Sequence, residues 1–159
     1  MSTRSNALAE RLEQGASALA EVASKLTDAE WRTPVPRDGR TIGVIVHHVA
    51  SVYPIEVELA QNVAAGKPVT GVTMADIDTM NAKHAVANRD VTRDAAIALL
   101  RTNSSAAAAS IRALSDAELD RSAPVSLYFG APLTSQFVLE DHAVRHSFHH
   151  LGRIRDTLA

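Results

Sequence analysis

Four histidines crowd into a short stretch near the end of this chain: His142, His146, His149 and His150, in Glu140-Asp-His-Ala-Val-Arg-His-Ser-Phe-His-His-Leu-Gly152. Two more, His47 and His48, form a pair inside an apolar stretch far upstream. Histidine is the commonest protein ligand for zinc and also serves nickel and non-haem iron. A His-x-x-x-His step on a helix puts two imidazoles on one face, where they can share one ion. If the upstream pair meets the cluster, three imidazoles surround a divalent ion and leave coordination positions open. That is the arrangement of catalytic sites, not of closed structural ones.

The chain has no cysteine, which excludes disulfides, thiolate ligands and a cysteine nucleophile. Any thiol chemistry needs a small-molecule thiol as substrate. Lys+Arg is 16 and Asp+Glu is 18, a formal charge of −2 with no basic run, so nucleic acid is not an expected partner. The first 26 residues mix charges with Ala and Leu and lack the apolar core of a signal peptide. No later stretch reaches membrane-spanning length without charge, so no membrane partner is expected and the expected location is the cytoplasm. A length of 159 residues predicts one domain, 1–159. Lysine occurs only at Lys25, Lys67 and Lys83, while arginine and alanine are abundant. This bias is associated with GC-rich coding.

The elements that would position the histidines are helical. Leu8, Leu12, Leu19, Val22 and Leu26 recur at helical spacing over 5–25. Thr27-Asp-Ala-Glu30 and Ser115-Asp-Ala-Glu118 read as capping boxes. Thr41 caps a second long helix running to about residue 65, with Pro54 expected to kink it. Further helices are expected over 75–88, 92–114 and 135–158. The stretch 122–132, with Pro124, Gly130 and Pro132, reads as a loop, and no strand is expected. Four long helices imply a bundle, which builds metal sites from inward-facing side chains.

Helix geometry separates the histidines. At about 100° per residue, Val44, Ile45, Val52, Ile55, Leu59 and Val63 all fall within about 60° of His48. His47 lies about 100° away, beside Glu58 and Gln61, so His48 is the one that enters the core. On the last helix Phe137, Val144, Phe148, Leu151, Ile154 and Leu158 define the apolar face. His150 lies at its edge and His146 one step further round, while His142 and His149 lie beyond. His146 and His150 are therefore the better inward-looking pair, with a separation of four that suits joint ligation of one ion, and His142 or His149 could orient a ligand or move protons. A single histidine on an apolar face is more often a hydrogen-bonded core residue than a ligand. Three in this arrangement leave the metal site and the packed-core reading both open. Glu140 reads as a carboxylate near a helix start that reaches water. His84 reads as a surface or edge residue, Asn81 as semi-buried and hydrogen-bonded with an open role, and Tyr53 and Tyr128 as structural.

These segments resemble the DinB-like (YfiT-like) superfamily. Thr41-Ile-Gly-Val-Ile-Val-His-His-Val-Ala50 is similar to its second-helix motif, in a register that selects His48. His142-x-x-x-His146-x-x-His149-His150-x-Gly152-Arg153-Ile154 is similar to its C-terminal motif and selects His146 and His150. Arg153 stands where the motif usually has glutamine. Asp78-Thr-Met-Asn81 and the Leu114 to Leu119 step also fit. The resemblance implies an all-α four-helix bundle of up-up-down-down style, often dimeric. It implies a divalent metal, usually zinc or nickel, on His48, His146 and His150. The implied activity is a thiol-dependent S-transferase or isomerase, joining a small-molecule thiol to an electrophilic substrate. The implied thiol is bacillithiol, mycothiol or glutathione, and the GC-rich bias leans towards mycothiol. A non-catalytic, stress-related bundle and a metal-dependent hydrolase are the alternatives.

Overall fold

The capped helix starts marked in the sequence at Thr27, Thr41 and Ser115 all form. The computed structural model describes residues 2–159 and contains α1 (Thr3–Lys25), α2 (Asp28–Trp31), α3 (Ile42–Ala64), α4 (Met74–Ala87), α5 (Arg93–Arg112) and α6 (Asp116–Asp120). A two-stranded hairpin follows, β1 (Ser122–Val125) and β2 (Ala131–Thr134). The chain ends in α7 (Ser135–Val138), a π-helical turn over Leu139–Val144, and α8 (Arg145–Leu158). Thr27 and Ser115 cap α2 and α6 in reciprocal capping boxes with Glu30 and Glu118. Thr73 and Asp76 make a third, at the start of α4.

Four of these helices make the bundle. α5 packs against both α1 and α3, and the α7–α8 segment fills the opposite side, so α1 and α3 face each other across the core. Leu12, Leu19, Ile45, Val49, Leu100, Ile111, Leu139 and Ile154 are among the side chains buried there. Cross-helix contacts fix the directions. Ser5 near the start of α1 meets Arg112 at the end of α5, so those two are antiparallel. Trp31 and Gly43 pack together where Val91 leads into α5, and Asn103 meets Ala50 further on, so α3 and α5 are parallel. Ser135 bonds Ala60 and Tyr53 bonds Ser147, so α8 runs back along α3. The bundle is as expected, but in chain order the helices run up, down, down, up. The parallel α3–α5 pair requires a return connection, and α4 supplies it, lying antiparallel on α3 with His84 over His47.

α3 is the only helix among the described residues long and apolar enough to cross a membrane, and 67% of its most apolar stretch is buried inside the bundle. It runs through Pro54 as one element. Proline lacks the N–H that would bond the Ala50 carbonyl one turn back. Asn103 Nδ2 replaces it, donating to Ala50 O at 2.9 Å. Asn103→Ala should therefore destabilise the protein by about 1–3 kcal/mol in urea denaturation, because a buried carbonyl is orphaned. Adding Pro54→Ala should recover most of that loss by restoring the backbone donor. An unrecovered loss would assign the effect to packing.

Three expectations are corrected. The stretch 122–132 is a hairpin, not a loop: β1 and β2 pair antiparallel, with Ser122 opposite Thr134 and Pro124 opposite Pro132. Its turn uses positive φ at Phe129 (57°) and Gly130 (79°). Phe137 and Phe148 are half-exposed at 42% and 45%, although the helical wheel put them on the buried face. The π-helical turn between them inserts extra backbone, so no single wheel describes 135–158. Phe148 lies across α1 where Gly15 leaves room: a Cβ there would come within 2.9 Å of the ring. Ile55 is exposed as well, at 49%, beside the solvent-facing Pro54.

Candidate metal centre

The bundle brings His48, His146 and His150 together. One nitrogen from each lies within 4.8 Å of the others. Their ring centroids are 5.1 Å apart for His48 and His146, 5.6 Å for His48 and His150, and 4.9 Å for His146 and His150. His48 comes from the second turn of α3, whose apolar flanks bury it to 5% exposure. His150, also at 5%, sits one turn along α8 from His146. A tetrahedral ion at ordinary metal–nitrogen distances asks for nitrogens about 3.3 Å apart. The difference lies within the reach of side-chain torsions.

Two further observations fit this cluster to a metal. First, His48 Nδ1 and His150 Nδ1 are buried without any hydrogen-bond partner. Buried polar atoms are nearly always paired, so two orphaned imidazoles in facing rings need an explanation. Second, both rings are neutral. Burial, with repulsion from His146 next, pushes His48 down to about 3 and His150 down to about 2. Neutral imidazole is the form that ligates.

The third histidine is held differently. His146 Nδ1 lies 2.5 Å from Glu56 Oε1. Glu56 is only 8% exposed and sits two turns beyond His48 on α3, about 80° round the helix from it. With the proton on Nδ1, the carboxylate fixes the ring's orientation and leaves Nε2 free, the carboxylate–histidine pairing seen behind metal ligands. Sequence reasoning passed over Glu56. The signal was its spacing from His48, masked by the general rule that glutamates on helices face water.

The remaining sequence candidates are scattered around this core. His142 Nε2 lies 3.1 Å from the Tyr128 hydroxyl, which donates to Asp141. Burial and then the Asp141 carboxylate raise the Tyr128 phenol and keep it protonated. His142 is thus tied to the hairpin, on the side of the centre nearer Glu56. His149 is exposed, and its ring contacts His150 edge-on at 5.0 Å with no hydrogen bond. Neither is bonded to one of the three converging rings. Glu140 forms a half-exposed ion pair with Arg11 at 2.8 Å. Tyr53 is fully buried, bonded to Ser147, and burial raises its phenol. His47 points away from the cluster and bonds His84 Nε2 through Nδ1 at 2.8 Å. His84, brought by α4, also contacts the His48 ring at 5.6 Å and so walls the centre from outside the bundle. Asn81, one turn before it, keeps a buried Oδ1 without a partner.

The model of the DinB superfamily matches residues 11–154. The chain belongs to that superfamily. Among solved structures it is similar to one described as "YfiT from Bacillus subtilis is a probable metal-dependent hydrolase with an unusual four-helix bundle topology". The TM-score is 0.78 at 20% identity, covering 99% of this chain and 87% of that one. It is also similar to a structure described as the mycothiol-dependent maleylpyruvate isomerase, with a TM-score of 0.71 at 15% identity. That match covers 97% of this chain and 63% of the other, so this DinB protein spans less than two thirds of the isomerase chain. At these identities the likeness is one of fold. None of the curated proteins is similar enough to this chain to count as a relative.

Proposed function

We propose that this DinB protein is a divalent-metal enzyme that uses a small-molecule thiol for S-transfer or isomerisation, with His48, His146 and His150 as the ligands. The observation that carries the reading is the convergence of two buried, neutral, unpartnered imidazoles with a third that a buried carboxylate orients. Zinc or nickel suits three imidazoles. When bound there, such an ion lowers the pKa of a thiol or water and polarises an electrophile.

The chain's own residues do the rest. His48 and His150 stay neutral at physiological pH because burial disfavours their charged forms. Glu56 accepts the His146 Nδ1 proton, which sets the tautomer and aims Nε2 inward. Glu56→Gln is expected to lower metal affinity by about 10–100-fold with the fold retained, measured by competition against a chromogenic chelator. An unchanged affinity would show that the carboxylate only fills space. The His84 ring, brought by α4, covers the outer side of the centre.

The thiol half of the reading is supported by the absence of cysteine, by family membership and by the fold shared with a mycothiol-dependent enzyme. The test is to incubate zinc- or nickel-loaded protein with mycothiol, bacillithiol or glutathione and monochlorobimane. Conjugation above background that disappears in His48→Ala supports it. Background rates with all three thiols across several electrophiles would leave two readings. Hydrolysis is supported by the YfiT structure, which covers 99% of this chain and is described as a probable metal-dependent hydrolase. A metal-dependent release of product from ester or amide substrates would select it, and none would leave a non-catalytic bundle.

A further inference from the structure

Arg40 has a donor with nothing to bind. Its Nε and Nη2 clasp Asp38 at 2.6 and 2.9 Å, which uses one edge of the guanidinium. Nη1, on the other edge, is buried and has no hydrogen-bond partner. Asp38 cannot neutralise its surroundings, because Arg153 Nη1 shares the same carboxylate at 3.1 Å. Burial opposes ionisation of Asp38, yet the two arginines outweigh it and hold its carboxyl below the usual range. Two cations therefore face one anion, with Asp38 only 7% and Arg40 only 16% exposed. Arg153, the departure from the motif's glutamine, is what leaves this cluster positive.

The cluster is built and fixed. Val35 N donates to Arg40 O at 2.9 Å, Pro34 bridges to Thr41, and Thr41 caps α3. Arg37 and Gly39 take positive φ of 65° and 80° to close the loop. Arg153 Nη2 fastens that loop to α8 by donating to Pro36 O at 2.9 Å. Arg153 stands one turn beyond His150 on α8, and the loop it fastens leads into α3 two turns before His48, which sets the cluster at one end of the three histidines. There the Arg40 charge adds to burial in disfavouring protonation of His48, His84 and His150.

The geometry points to Arg40 as the anchor of an anion subsite beside the three histidines, taking the carboxylate of a small-molecule reactant on its free Nη1 edge. This names a substrate class for the metal site and rests on that reading for its meaning, though not for the binding itself. A bidentate or charge-assisted bond from guanidinium to carboxylate is strong and directional, so it would orient the reactant against the centre. The carboxylate could belong to the electrophile or to the thiol.

The test titrates metal-free, full-length protein with succinate, succinamide and glutathione, followed by proton–nitrogen NMR at the amides of Gly39 and Thr41. Wild type should bind succinate or glutathione saturably and favour succinate over succinamide by about tenfold, as a charged acceptor should. Arg40→Gln should weaken carboxylate binding by about tenfold while keeping its circular dichroism and zinc stoichiometry. Should that variant fail to fold, Arg40→Lys keeps the charge for Asp38 but lacks the second edge, and should weaken binding similarly. Arg40-dependent succinate binding places the carboxylate on the electrophile; the same dependence with glutathione alone places it on the thiol. Carboxylate binding unchanged in a folded Arg40 variant, or equal binding of succinate and succinamide, overturns the subsite. Zinc uptake without carboxylate binding sinks the subsite alone, and carboxylate binding without zinc uptake sinks the metal site alone.

Discussion

Protein purified without a histidine tag is expected to carry about one divalent ion per chain, and His48→Ala, His146→Ala or His150→Ala to abolish that content. Removing a ligand should lower affinity by more than the roughly 10–100-fold that an outer partner such as Glu56 commands. Elemental analysis by plasma mass spectrometry reads the stoichiometry directly. His47→Ala is the control, because His47 Nδ1 is bonded to His84 and its ring turns away from the cluster. Full metal content in His146→Ala and His150→Ala would refute the assignment. Loss in His47→Ala with retention in His48→Ala would show that the ion sits between α3 and α4.

The second large effect is on stability against acid. In the unfolded chain His48 and His150 titrate near 6.5. In the fold, burial holds them at about 3 and about 2. Between those values the unfolded state binds more protons, so stability rises with pH through the window. The contribution is fully present above about 6.5 and is lost as pH falls towards the folded values. Each histidine then gives a slope of about 1.4 kcal/mol per pH unit. The urea midpoint of metal-free protein should therefore drop steeply from pH 7 to pH 5. Saturating zinc should raise it throughout, since an ion that binds only the folded state stabilises it. Metal-free stability that is flat over that range would show that these two rings are not buried and neutral. The ordinary histidine value alone would place proton competition at the centre near pH 6.5. For His48 and His150 the folded environment moves it lower.

Much of this was legible in the residues. His48 was selected by its place in an apolar stripe, and the same burial now explains its neutrality. His146 and His150 were selected by a separation of four, which one helical turn converts into adjacent rings. The capping residues Thr27, Thr41 and Ser115 marked true helix starts, because capping is a local matter. What stayed hidden depends on partners distant in sequence. Glu56 acquires its role only from His146 on another helix. His84 reaches the centre only because a parallel α3–α5 pair forces a return helix across it. The carbonyl that Pro54 leaves free is satisfied only by Asn103 of another helix. The exposed positions of Phe137 and Phe148 could not be read from a wheel that assumes unbroken α-helix.

The π-helical turn over Leu139–Val144 lies between two anchors. Upstream, Ser135 is fastened to Ala60 at 2.9 Å; downstream, Ser147 is fastened to Tyr53 and His150 faces His48. Wide turns of this kind hold surplus backbone within an otherwise regular helix. Deleting a single residue there would tighten the wide turn into an ordinary one without moving either anchor. The same deletion in α8 would swing His146 and His150 away from each other's partner by about 100°. The chain can thus lose a residue before His146 and keep both anchors, but not between His146 and His150.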